Sequence, residues 1–146
     1  MSLLKATRTA QWPLLAEFTF NFDDTIVDVN GVTKTFGATY TDAVVANAIN
    51  LPEGAVIVGG EVVVETAGVG PTAYTVSLGD SSSATRYANA VDLKTAARTA
   101  LTLTGYRSSE NLRLTIASSV ANATAGKATV RVLYVIPGKA NEVVPN

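Results

Sequence analysis

The sequence predicts an all-β protein: a jelly-roll-like antiparallel β-sandwich of about eight strands with extended terminal arms. Three observations lead there. Valine and threonine occur nineteen times each, and both favour a pleated, half-buried surface. Apolar residues recur at every second position in one segment after another, the period of a strand with one covered face. Turn residues such as Asn30-Gly31, Gly79-Asp80 and Pro137-Gly138 separate those segments. A chain of 146 residues is the size of one domain and can bury one core without staples.

Taken in order, "EFTFNF" sets Phe18, Phe20 and Phe22 on one face and Glu17, Thr19 and Asn21 on the other. "VDVNGVTKTF" carries Asn30-Gly31, expected to form a hairpin with a two-residue type I′ turn. Val44 to Leu51 reads as a weaker strand that groups Val45, Ile49 and Leu51. The longest strand is Ala55 to Thr66. Its even positions Val56, Val58, Val62 and Val64 are expected to line the core, since the apolar phase is the same on both sides of Gly59-Gly60. A one-residue bulge is therefore not expected there, only a bend or a close backbone approach. The odd face is expected to be covered at Ala55 and Ile57, by an arm or a dimer partner, and to emerge into solvent at Glu61 and Glu65.

Further along, Tyr74, Val76 and Leu78 alternate with Thr75 and Ser77, and "GDSSS" ends that strand in a flexible surface loop. Alanine-rich spacing between Tyr87 and Arg98 allows a helical turn or two. Leu101 and Leu103 form a short piece before Gly105. Leu112, Leu114 and Ile116 face one way. Val130, Val132, Tyr134 and Ile136 complete the last strand. The chain divides into an N-terminal arm (1–16), a sandwich domain (17–136) and a C-terminal tail (137–146). Both arms carry apolar residues, Leu3, Leu4, Trp12, Leu14 and Leu15 at the start and Val143 and Val144 at the end, which either pack back onto their own sandwich or dock on a neighbouring subunit.

Composition excludes several function classes. There is no cysteine and no histidine, which removes disulfides, the usual zinc sites and every Ser-His or Cys-His nucleophile system. A formal charge of −1 with scattered Lys and Arg argues against nucleic acid and anionic membranes as partners. No stretch approaches the ~20 apolar residues of a membrane span. Lys5, Arg8, Gln11 and Pro13 interrupt any signal-peptide core, so a soluble product that stays where it is made until it joins something is expected.

The remaining candidates for chemistry are weak. Asp23, Asp24, Asp28 and Asn30 form an oxygen-rich cluster, but their spacing departs from a calcium loop and suits turn solvation. Glu61 and Glu65 share a strand face at about 13 Å, beyond the 5–9.5 Å of a glycosidase pair. "GVGPT" (Gly68 to Thr72) matches no phosphate loop, and the serines of "GDSSSATR" lack a base. Trp12, Tyr40, Tyr74, Tyr87, Tyr106 and Tyr134 are too spread to define a sugar platform by themselves. No catalytic residue, cofactor or metal is expected, and the chain reads as a non-enzyme.

Three segments resemble a known family: "INLPEGAVIVGGEVVVETA", "VSLGDSSSATRYANAVDLKTAARTALTLTGY" and "AGKATVRVLYVIPGKANEVVPN". Over about Ala43 to the C-terminus the sequence is similar to the capsid cement, or decoration, proteins of short-tailed bacteriophages. The resemblance implies a jelly-roll virion protein that forms homodimers. Made in the host cytoplasm, it would sit on the capsid surface and bridge subunits of the major capsid protein. For such bridging, the apolar arms and the odd face of the long strand offer Leu3, Leu4, Trp12, Leu14, Leu15, Ile57, Val143 and Val144 as contact residues. The alternative is a tail or head-fibre component that binds a glycan or receptor. A hydrolase, which would need a cluster of Asp or Glu in a pocket, comes last.

Overall fold

The computed structural model describes residues 12–108 and 110–136; Leu3, Leu4, Val143 and Val144 lie outside them. Eleven strands run through the described residues: β1 (Leu14–Asn21), β2 (Thr25–Val27), β3 (Thr33–Thr35), β4 (Val44–Ile49), β5 (Ala55–Val69), β6 (Ala73–Gly79), β7 (Ala88–Asp92), β8 (Arg98–Ala100), β9 (Arg107–Ser108), β10 (Leu112–Ser119) and β11 (Ala125–Val135). One sheet has the order β1-β11-β5-β8, with β9 added at the start of β5; the other has the order β4-β10-β6-β7. Leaving the β2–β3 ribbon aside, the chain crosses between the sheets at every connection except β6–β7 and β8–β9. That path, with all pairings antiparallel, is the jelly roll. The small β2–β3 hairpin stands apart as its own ribbon.

Strict alternation holds where a strand is regular. In β10, Leu112, Leu114 and Ile116 are buried while Arg113 and Thr115 are half-buried on the other face. In β11, Ala128, Val130 and Val132 point inward. Phe20 packs against Phe36 with ring centroids 4.8 Å apart, and Phe18 closes the cluster. Burial of such side chains, each contributing about 1.5–3 kcal/mol, holds the two layers together.

The long strand β5 departs from the expected phase. Ala55 (0%) and Ile57 (3%) are core, Val58 is 40% exposed, and the core then resumes at Val62 and Val64. The cause is a bulge: Gly59 pairs with Leu133 but Ile57 with Tyr134, leaving Val58 as the extra residue. Gly60 accommodates the kink at φ +142°, where a Cβ would lie 2.3 Å from the Arg131 carbonyl. The assignment of Val56 and Val58 to the core is therefore corrected. Ile57 is covered by its own sandwich, and no arm or partner is needed to bury it.

A second bulge lies in β4. Leu112 pairs with Ile49 and Arg113 with Asn47, so Ala48 is extra. Val44 and Ala46 are buried before it, Ile49 and Leu51 after it, and Val45 drops out of the expected set. The Asn30-Gly31 turn also differs. Only Gly31 has positive φ, and the Asp28 carboxylate accepts the amides of Asn30 and Val32, both at 2.9 Å. This is a three-residue loop with a left-handed glycine in place of type I′. Between Tyr87 and Arg98 there is strand β7 paired to β6 and no helical turn; pairing outweighs alanine's modest helix preference. The first sheet strand begins at Leu14, ahead of the expected Glu17.

Candidate contact surfaces

The carboxylates that drew attention in the sequence are tied up on the outer face of the β1-β11-β5-β8 sheet. Register places Glu17, Arg131 and Glu61 side by side across three strands. Arg131 Nε donates to Glu17 at 2.6 Å and its Nη1 to Glu61 at 3.3 Å. Arg98 Nε donates to the other Glu61 oxygen at 2.7 Å. Glu65 is held by Lys127 at 2.6 Å and accepts the Thr129 hydroxyl at 2.7 Å. Thr129 is itself buried and bonded to Thr19. The Arg98 guanidinium, then Arg131, lowers the Glu61 pKa, and Lys127 and Thr129 lower that of Glu65. Neither can serve as a general acid near neutral pH, and both oxygens of each are engaged. The face is a neutral ladder of alternating charges.

"GDSSSATR" is a built loop, which corrects the expectation of a flexible one. Asp80 is 5% exposed and accepts from Ser82 N (2.9 Å), Ser82 Oγ (2.7 Å) and Ser83 N (2.8 Å). Arg86 closes on the same carboxylate with two donors and stacks 3.7 Å above the Tyr106 ring. Burial pushes the Asp80 carboxyl up, but Arg86, Ser82 and Ser83 outweigh it and hold the group down at about 2. Only glycine fits at position 79, where a Cβ would meet the Ser83 carbonyl at 1.9 Å. The loop is structural and presents no free nucleophile–base pair.

Two aspartates of the oxygen-rich cluster, Asp24 and Asp28, have backbone partners in turns. Asp24 accepts from the Asn21 backbone at 2.7 Å and side chain at 3.0 Å, so with Asp28 it shapes turns. Among the described residues no three of His, Cys, Asp and Glu gather to hold a metal. Tyr74 and Tyr87 are buried at 2%, and burial pushes the Tyr74 hydroxyl up to about 12. Tyr40 is half-buried, with its oxygen accepting from Thr35 N and Lys34 above its ring. The tyrosines do not form a platform. Two open grooves are present: a polar one of about 280 Å³ lined by Asn47, Ser81, Glu110, Asn111 and Arg113, and a more apolar one of about 290 Å³ between Phe22, Gly37, Ala38 and Ala123.

What is left uncovered is apolar surface. Strand β1 overhangs the sandwich at its start, where Trp12 (89%), Leu14 (47%) and Leu15 (61%) are exposed on both sides of the strand. Leu15 sits beside Leu133, whose side chain lies over Gly59. Among the described residues β1 is also a sheet edge, paired only with β11, and such an edge offers unpaired backbone groups to another chain. Three of the residues singled out in the sequence, Trp12, Leu14 and Leu15, thus come together, while Ile57 lies in the core. Sequence reasoning missed Leu133, which reads as one more strand residue, and the exposed valines at the opposite end.

No family profile and no curated relative matches the chain. Solved structures do. A chain of the cyanophage Pam1 capsid asymmetric unit is similar at TM-score 0.59 and 25% identity, over 93% of this chain and 94% of that one. A chain of the acidic stable capsid of Helicobacter pylori bacteriophage KHP30 shares the fold at TM-score 0.61 and 20% identity, over 92% of this chain and 95% of that one. Coverage is nearly complete in both directions, so each matched chain is about as long as this one.

Proposed function

We propose that this chain is a virion structural protein, a cement or decoration protein that binds the outside of a phage head and stabilises contacts between major capsid subunits. The observation that carries the reading is the whole-chain likeness to similarly short chains within two phage capsids. The described residues form one jelly-roll sandwich, and the likeness covers more than nine-tenths of the chain in both comparisons; in a shell it acts by contact. The chemistry of the molecule supports the same reading: every carboxylate that resembled a catalytic group is paired or shapes a turn.

Attachment runs through the arms and the β1 overhang, with Trp12, Leu14 and Leu15 as anchors joined by Leu3, Leu4, Val143 and Val144. Apolar anchors at the centre of each patch supply affinity, and repetition over a lattice multiplies modest contacts. The protein self-associates, is made in the host cytoplasm and ends on the capsid surface.

The test is co-sedimentation of purified protein with expanded, undecorated heads. The wild type is expected to saturate the shell, and Leu15→Asp or Trp12→Ala to bind at least tenfold more weakly with unchanged folding. Failure of the wild type to bind, with its absence from purified virions, refutes the reading.

A further inference from the structure

The outer face of the β1-β11-β5-β8 sheet changes character along its length. At its middle, Glu17, Arg131, Glu61 and Arg98 neutralise one another. Toward the end of β11 the charges give way to carbon. Register sets Leu15 beside Leu133 and Leu133 beside Gly59; one row further, Val135 stands beside Val56 and Val56 beside Arg107. Residues directly opposite on antiparallel strands share a side of the sheet. This side faces out: Leu15, Val58 and Leu133 are exposed, and Val56 and Val135 are half-buried. At the edge of the apolar patch stands Arg107. It is exposed, and among the described residues its guanidinium has no acceptor, whereas Arg86, Arg98 and Arg131 are each held by a carboxylate. An apolar centre with a polar border is the anatomy of a contact surface.

Two segments outside the described residues adjoin the patch. Residues 1–11 precede β1 and carry Lys5 and Arg8; residues 137–146 follow β11 and carry Lys139 and Glu142. Laid on this face, the first would bring two more cations to Arg107, and the second brings a carboxylate. Charge therefore selects the second. Its path also fits. β11 ends at Val135, inside the patch, and Pro137-Gly138 is a chain-reversing pair. In an extended segment alternate residues share a face, so Ala140, Glu142 and Val144 point one way, the last two about 7 Å apart. The stretch from Lys139 to Val144 reaches ~20 Å, and Arg107 lies two strands, about 10 Å, from β11. The groove beside Phe22 and Ala123 lies a full length of β11 away, about 35 Å, and is out of that reach.

We propose that residues 139–144 fold back over this face in the free chain, Val144 covering Leu133 and Val58 while Glu142 pairs with Arg107. The apolar contact supplies most of the attraction; an exposed ion pair adds little and sets the register. The proposal concerns the chain before it meets a capsid and does not rest on the cement reading. Where that reading holds, attachment exchanges the tail for the capsid.

The chain has no cysteine, so Pro145→Cys takes a single nitroxide label. Amide NMR signals of the full chain, without capsids, are compared with the label oxidised and reduced. Broadening is expected at Gly59, Arg107 and Leu133, unchanged on dilution, and none at Ala38 or Val120 at the far end. Val144→Asp should abolish it. Glu142→Lys should weaken it about twofold, and adding Arg107→Glu to Glu142→Lys should restore it. Three results overturn the proposal: no broadening at those positions, broadening spread evenly over the surface, or broadening that fades on dilution, as a second copy's tail would give. A double variant no better than Glu142→Lys also overturns it. Capsid co-sedimentation is scored separately: a docked tail on a protein that ignores capsids removes the cement reading alone, and capsid binding without a docked tail removes this proposal alone.

Discussion

Asp80 gives the sharpest quantitative handle on this fold. Its side chain is 4% exposed and locked between Arg86 and the Ser82–Ser83 backbone, with a pKa of about 2 against an ordinary 3.8. A folded-state pKa below the unfolded one stabilises the charged form. The contribution is therefore complete above about pH 4, shrinks as pH falls through the interval between the two values, and is gone below about 2. A shift of nearly two units corresponds to about 2 kcal/mol. Asp80→Asn keeps an acceptor for the serine amides but strands the half-buried Arg86 charge. At pH 7 the loss should be at least that ~2 kcal/mol, approaching the ~3–5 kcal/mol of a broken buried pair. For a chain of this size that lowers the melting temperature by roughly 5–10 °C.

The assay is urea denaturation of wild type and Asp80→Asn at a series of pH values from 7 to 2. Other carboxylates titrate in the same range, so the readout is the difference between the two proteins. That difference should be constant down to about pH 4 and then narrow. A difference of the same size at pH 2 would show that the loop is held by shape and amide bonding and that charge contributes nothing.

Other consequences follow from the bulge and the outer ladder. Deleting Val58 removes the extra residue, restores strict alternation without changing which side chains point inward, and should leave a folded protein by circular dichroism; deleting Val63 swaps the faces of a strand end and should not. Gly60→Ala sets a methyl against the Arg131 carbonyl and should cost about 2 kcal/mol or more in chemical denaturation. Ile57→Asp buries a charge and should lose more than ~4 kcal/mol or fail to fold, whereas Leu15→Asp, on exposed surface, should stay within about 0.5 kcal/mol of wild type. Thr129→Val removes the hydroxyl between Thr19 and Glu65 and should cost about 1 kcal/mol.

The parts of the fold that were legible in the sequence are those where one strand residue faces one partner residue. β10 and the inner run of β11 have Leu112, Leu114, Ile116, Val130 and Val132 where alternation puts them. β4 and β5 were misread because a bulge is a count, and periodicity cannot count. Val56 and Val58 fit a strand by shape whichever way they face, so their apolar character carried no information about the core. Ala55 and Ile57 offered the competing phase, and the glycine pair marked the place where the two phases meet. At Asn30-Gly31 the turn type was decided by the Asp28 carboxylate, two residues upstream. Of the contact surfaces, Trp12, Leu14 and Leu15 stood out as apolar residues without a period. The exposed Val120 at the β10–β11 turn did not stand out, since what marks it is a backbone angle, φ +73°.

The distribution of these surfaces has a mechanical consequence. The β1 overhang lies where β11 ends, beside Tyr134, and the Val120 turn lies where β11 begins, before Ala125. The eleven residues of β11 at ~3.3 Å each separate the two by about 35 Å. Between them one outer sheet face is neutralised by its own ladder, with Glu61 between Arg98 and Arg131. The ladder pairs Glu17, Glu61 and Glu65 with Arg98, Lys127 and Arg131 and does not include the exposed Arg107 of β9. The proposed cement role would need two apolar contact zones held at a fixed distance by something stiff. In that reading the stiff element is the longest strand pairing among the described residues, β11 against β5, whose register shifts at Val58 and again toward its Val69 end.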